Sequence, residues 1–180
     1  MPVIAANPPR RYVNRVSRLG AEALEGLDLN ARQFLPPLPY AKASEPYTEK
    51  FNRVMKESRS KDNQLSPEAL VRNLEAQSLW DAGMAYSIAD FLTRNPEKQV
   101  LHVNGSFHTA YRLGIIDHLS RYRPDLKTIV VTMVSEKSFP EFNREKMLHQ
   151  GDFVIVTDPD LPRSYSSAVP APAKKPKQKN

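Results

Sequence analysis

The 180-residue chain contains no cysteine and only four histidines. The first absence excludes disulfides, thiolate metal sites and a cysteine nucleophile. No apolar run approaches the roughly 20 residues needed to cross a bilayer. The opening MPVIAANPPRR lacks the basic-then-apolar order of a secretion signal. Several catalytic signatures are also missing: there is no Walker loop, no G-x-G-x-x-G, no H-E-x-x-H and no G-x-S-x-G elbow. Acidic residues stop at Asp160, beyond which Arg163, Lys174, Lys175, Lys177 and Lys179 carry most of the net charge of +6. The rest of the chain is close to neutral, so the basicity does not mark a nucleic-acid face.

What is present is a chain of 40% hydrophobic and 26% charged residues, enough for one domain with a core. Residues 1–160 are expected to form it. Residues 161–180, rich in Ser, Ala, Pro and Lys, bury too little apolar surface to offset their ordering entropy and read as a disordered basic tail. That tail is a solubilising end or a polybasic contact for phosphates or anionic lipid.

Short apolar runs at 3–6, 99–103, 128–134 and 152–158 predict strands, separated by helical patterns. Pro8-Pro9 suits the first turn of a helix continuing through Leu19, with Gly20 as its stop. The four prolines of 33–47 predict a long loop, followed by a short helix over 48–58. Ser66-Pro67-Glu68 starts a long helix that ends before Asn95-Pro96. A further helix is predicted over 106–123. Strands alternating with helices imply an α/β fold, a mostly parallel sheet with helices on both faces.

Parallel sheets gather ligand sites at the carboxyl ends of their strands. Those ends deliver Asn7, Arg10 and Arg11, then Asn104, Gly105, Ser106 and His108, and after the last strands Ser135-Glu136 and Thr157-Asp158. Gly105 permits a tight turn and Ser106 caps the next helix. His108 then falls in that helix's first turn, where the dipole favours a neutral imidazole able to bind a metal or accept a proton. The alternative is a histidine that only packs and bonds a neighbouring loop. His102, His118 and His149 read as structural or solvent-facing.

The long helix carries the stripe Leu70, Leu74, Gln77, Asp81, Met84, Ile88 and Phe91, apolar at both ends and polar in the middle. Buried polar groups need partners. Arg10 or Arg11 is the expected partner of Asp81, through a bidentate guanidinium–carboxylate pair. This is either a structural tie or the floor of a pocket beneath His108. Trp80, one step off the stripe, reads as core or pocket wall.

Three segments, VIAANPPRRYVNRVSRLG, EAQSLWDAGMAYSIADFL and VLHVNGSFHTAYRLGI, resemble in that order the second half of the ChaN-like haem-binding uptake proteins of the Tiki superfamily. The resemblance runs over about residues 1–134. Its carriers are Gln77, Trp80, Asp81, Met84 and Ala85, then Asn104, Gly105 and His108. It implies an incomplete ChaN-like α/β domain with a polar pocket, haem or iron binding, and bacterial iron acquisition at the cell envelope, as in a lipoprotein. By the same resemblance His108, Tyr12, Arg10, Arg11, Gln77, Trp80 and Asn104 contact the cofactor, with His108 as the metal ligand. Tyr40, Tyr47 and Tyr86 are further axial candidates beside Tyr12 and His108. Related hydrolases imply an alternative: His108 as base or metal ligand, with Asp81 and Arg11 as positioning groups. A non-catalytic remnant is the third reading.

The family's Gly-Glu-x-His motif does not occur in this sequence. The chain is therefore expected to be a C-terminal piece or a reduced form, exposing a sheet edge and self-associating, with a homodimer as one outcome. Taken as written, without a leader, it is expected to be cytoplasmic.

Overall fold

A computed structural model describes residues 1–60 and 64–161. Six α-helices and two strands are found among them: α1 (Arg10–Leu19), α2 (Leu29–Arg32), α3 (Glu45–Glu57), α4 (Pro67–Arg94), α5 (Ile115–Tyr122), β1 (Val131–Ser135), α6 (Arg144–Met147) and β2 (Phe153–Thr157). The tail expected to be disordered lies outside the described residues, apart from Leu161.

Helix α4 is the axis of the fold. Ser66 caps it, its side chain accepting from the Ala69 amide at 3.2 Å, and Pro67 occupies the first turn. It ends at Arg94, because the residue before Pro96 is steered out of the helical region. Its first half packs on α1: Tyr12, Val13 and Val16 meet Ala76 and Leu79, with Leu24 and Leu35 closing the cluster. Its second half packs on α5: Met84, Ala85, Ile88, Ala89 and Leu92 meet Ile115 and Leu119. Gly83 lets Pro8 lie on the helix; a Cβ there would stand 2.1 Å from the proline ring.

Strands β1 and β2 pair in parallel, Val131 opposite Phe153 through Ser135 opposite Thr157. The molecule is thus α/β, with a two-stranded parallel sheet among the described residues. The strands expected at 3–6 and 99–103 are not formed. Both segments remain without backbone pairing, and Val3, Leu101 and Val103 are 90%, 91% and 85% exposed. A strand exists only where a neighbour takes its amides and carbonyls, and no described segment offers that neighbour.

The helix expected over 106–123 is also corrected. Two 3₁₀ turns, Ser106–His108 and Ala110–Arg112, precede α5. The chain kinks where Tyr111 and Arg112 adopt φ of 66° and 58° and Gly114 adopts 62°. Unforeseen from sequence were the 3₁₀ turn Ala21–Leu24 and the short α2. Helix α3 begins at Glu45, three residues earlier than expected.

Candidate functional site

Asp81 is the centre of the polar constellation. Its side chain sits at the middle of α4, between the two apolar clusters, and is fully buried. Its Oδ1 lies 2.5 Å from His108 Nδ1, and its Oδ2 accepts the hydroxyl of Tyr47 on α3. A carboxylate only accepts, so His108 donates through Nδ1–H and each carboxylate oxygen has one donor. The Gln77 amide nitrogen lies 3.1 Å from the same imidazole nitrogen, but with Nδ1–H given to Asp81 two donors face each other there, and this approach is a contact, not a hydrogen bond. His108 Nε2 makes no hydrogen bond with a described residue, and the ring keeps 21% of its side-chain surface exposed. Trp80 and Phe107 stand edge-on to it, with centroids at 6.4 and 6.1 Å.

Burial pushes the Asp81 carboxyl above the usual carboxylate range, while the hydrogen bond and charge of His108 and the Tyr47 hydroxyl pull it back. Tyr47 is pushed up, first by burial and then by the Asp81 charge. Lys50, one turn along α3, is 7% exposed. Its Nζ donates to the carbonyls of Phe107 at 2.7 Å and Ala110 at 3.1 Å. Burial lowers its ammonium to about 8, against the opposing charges of Asp81 and Asp117.

Gly114 closes the constellation. A Cβ at this position would stand 2.6 Å from the His108 carbonyl oxygen, 2.9 Å from Asp81 Oδ2 and 2.9 Å from the Tyr47 ring. Gly105, the glycine singled out from sequence, needs no such freedom: its φ is −68°, and a Cβ would meet only the His108 ring at 3.9 Å.

Of the residues expected at the site, the fold brings His108, Asp81, Gln77 and Trp80 together. Asn104 lies just before the turn, its Oδ1 accepting from Thr109 Oγ1 at 3.2 Å. The expected pairing of Asp81 with Arg10 or Arg11 is not formed. Arg10 is exposed, and the Arg11 guanidinium lies over the rings of Tyr12 (4.7 Å) and Phe34 (5.8 Å), donating to the Tyr12 hydroxyl. The reason is the facing of α1: Tyr12, Val13 and Val16 take the α4 contact, so Arg11 turns outward while Asp81 faces α3 and the 107–114 segment. Tyr12 itself is a core residue, 6% exposed. The dipole argument for His108 also falls, because a three-residue 3₁₀ turn carries no appreciable macrodipole and the ring's neighbour is a carboxylate.

Lys50 and Gly114 were not anticipated, and Tyr47 only as an axial candidate. A signal existed: Tyr47, Lys50 and Phe51 share one face of α3, and a lysine on an aromatic stripe needs acceptors.

His118 is a second buried imidazole, 3% exposed. Its Nε2 lies 3.1 Å from Ser78 Oγ, which donates to the Ala41 carbonyl, so the imidazole is the donor of that pair. Its Nδ1 is buried without a partner.

Clefts of about 390 and 280 Å³ lie elsewhere, bordered by residues 5–9, 32–38 and Tyr86, and neither is lined by His108 or Asp81. Among the described residues no three His, Asp or Glu side chains converge as ligands for a metal ion. The donor set is one oriented imidazole. That does not fit a bare ion, which needs three or four protein ligands. It does fit an iron whose other ligands come with a porphyrin.

Residues 1–119 match a family model described as haem-binding uptake, Tiki superfamily, ChaN. The matched span is the N-terminal part of this chain and stops short of the expected residue 134; the expected restriction of the likeness to the family's C-terminal half is not borne out. It contains Tyr47, Lys50, Gln77, Asp81 and His108. No curated protein and no solved structure matches the chain.

Proposed function

The chain belongs to the haem-binding uptake (ChaN) family of the Tiki superfamily, and from that premise we propose that it binds haem at its surface through His108 Nε2. The observation that carries this reading is the Asp81–His108 contact at 2.5 Å, which occupies Nδ1 and leaves Nε2 without a hydrogen bond among the described residues. Histidines that ligate metals characteristically donate their other ring N–H to a carboxylate, which fixes the tautomer and raises ligand basicity. Bound haem would supply an iron centre with a position open to imidazole. The chain's own residues orient the ring: Asp81 accepts from Nδ1, Tyr47 donates to the carboxylate, and Trp80 and Phe107 flank the ring with apolar edges.

The tyrosines are poorer ligands. A tyrosinate must lose its proton, and burial pushes Tyr40 and Tyr47 the other way. Tyr12 lies in the core, and Tyr86 packs edge-on to Tyr122 at 5.6 Å. The reading extends to a role in haem or iron acquisition at the bacterial envelope. A companion segment bearing the Gly-Glu-x-His motif, or a second copy of the chain, would supply the remaining contacts to the haem.

The same dyad would also make His108 a general base, as in the hydrolase reading. Arg11 is turned away from that site, and no described hydroxyl bonds Nε2, so haem binding is preferred. The test is titration with haemin followed at the Soret band. Wild type is expected to saturate at one haem per chain, and His108→Ala to lose at least tenfold in affinity, with His149→Ala unchanged. Equal titration curves for wild type and His108→Ala would remove the reading, as would ester hydrolysis abolished in His108→Ala without any haemin binding.

A further inference from the structure

The turn that carries His108 has two backbone hydrogen bonds of its own, from the His108 amide to the Gly105 carbonyl at 3.0 Å and from the Thr109 amide to the Ser106 carbonyl at 3.2 Å. It is three residues long, and it runs into Tyr111 and Arg112, two consecutive non-glycine residues with φ of 66° and 58°. Such conformations persist only where surrounding contacts over-determine them. The Tyr111 amide donates to the Gln150 carbonyl at 3.2 Å, and the Arg112 guanidinium donates to Asp152 at 2.7 Å and Thr128 at 2.5 Å. On the His108 side, the turn's carbonyls are taken by one buried side chain of α3. Lys50 Nζ donates to the Phe107 carbonyl, on the peptide bond leading into His108, and to the Ala110 carbonyl two residues beyond it. The same ammonium lies 4.7 Å from the Phe107 ring centroid, 5.4 Å from that of Tyr47 and 5.8 Å from that of Tyr111. Tyr47 is in turn the second donor to Asp81.

We propose that Lys50 is the positioning residue of this site: its ammonium brackets His108 by the carbonyls on either side and holds the imidazole against Asp81. The proposal deepens the haem-binding reading, since the ring so held is the one assigned as ligand. Lys50 touches neither His108 Nε2 nor Asp81 by hydrogen bond and acts through the turn alone. No hydroxyl or carboxylate could replace it, because both acceptors are carbonyls; the site needs a donor with at least two protons on a long stem.

The experiment has two arms. The first needs no haem: the His108 imidazole resonances are followed by NMR in wild type, Lys50→Met, Lys50→Arg and Ser78→Ala. Ser78→Ala removes buried bonds to Ala41 and His118 without touching the turn, and so controls for general loss of stability. The expected result is a displaced and broadened His108 signal in Lys50→Met, restored in Lys50→Arg and unchanged in Ser78→Ala. An unaltered His108 signal in folded Lys50→Met overturns the proposal. Should Lys50→Met lose its fold, Lys50→Gln, whose stem is too short to bring one donor to both carbonyls, is judged by the same criterion. The second arm is haemin titration, in which Lys50→Met is expected to weaken binding about 10- to 100-fold, the scale of lost ligand orientation. Failure of wild type to bind haemin removes the haem reading but leaves the NMR arm to decide the role of Lys50.

Discussion

At the scale of single residues, a buried imidazole outside the site gives the fold a pH signature. His118 donates from Nε2 to Ser78 and has no partner for Nδ1. Burial pushes its pKa down to about 4. The unfolded chain takes up that proton near 6.5, so between 6.5 and 4 the unfolded state binds more protons than the folded one. The stability His118 contributes is therefore complete above 6.5 and is lost as pH falls towards 4. Thermal melts across this window should show wild type losing on the order of 2–3 kcal/mol more than His118→Gln, which keeps a donor towards Ser78. Parallel pH profiles for the two proteins would contradict the assignment. Asp81 and His108 were legible because a polar break in an apolar stripe and a histidine after Asn-Gly are local signals. Lys50 and Tyr47 were not, since their partners lie 34 to 60 residues away.

At the scale of elements, the segment 105–114 decides the site. Its sequence reads as the start of a long helix, but the Lys50 contacts and the fit of Gly114 against Asp81 and Tyr47 break it into 3₁₀ turns. Gly114 combines φ of 62° with ψ of −108°, and any Cβ would meet the His108 carbonyl. Gly114→Ala should therefore cost about 3 kcal/mol or more in urea denaturation. Gly105→Ala should stay within about 1 kcal/mol, its Cβ finding ordinary contact. Reversal of that order would refute the packing described. Helices α1 and α4 were readable because their signals are local: Pro8-Pro9 and Gly20 for one, Ser66-Pro67 and Asn95-Pro96 for the other. Strands 3–6 and 99–103 were misread because extended runs become strands only through distant partners.

At the scale of the whole molecule, one sheet face is apolar and uncovered. Val131, Met133, Phe153 and Ile155 are 53%, 65%, 61% and 46% exposed, although parallel sheets are ordinarily covered on both faces. Val3, Leu101 and Val103 are exposed apolar residues as well, and exposed apolar area of this kind favours association. Sedimentation velocity should show mass rising with concentration, and Met133→Lys together with Ile155→Lys should suppress the rise. A concentration-independent monomer in wild type would contradict this. The account as a whole rests on one imidazole held by a buried carboxylate, and on the proposal that its other nitrogen would ligate haem iron. Resonance Raman spectroscopy of the ferrous haem complex tests it most directly. An iron–histidine stretching band is predicted in wild type, lost in His108→Ala and moved to lower frequency in Asp81→Asn, whose weaker acceptor leaves the ring less basic. The same band persisting in His108→Ala, or iron–tyrosinate bands in wild type, would contradict it.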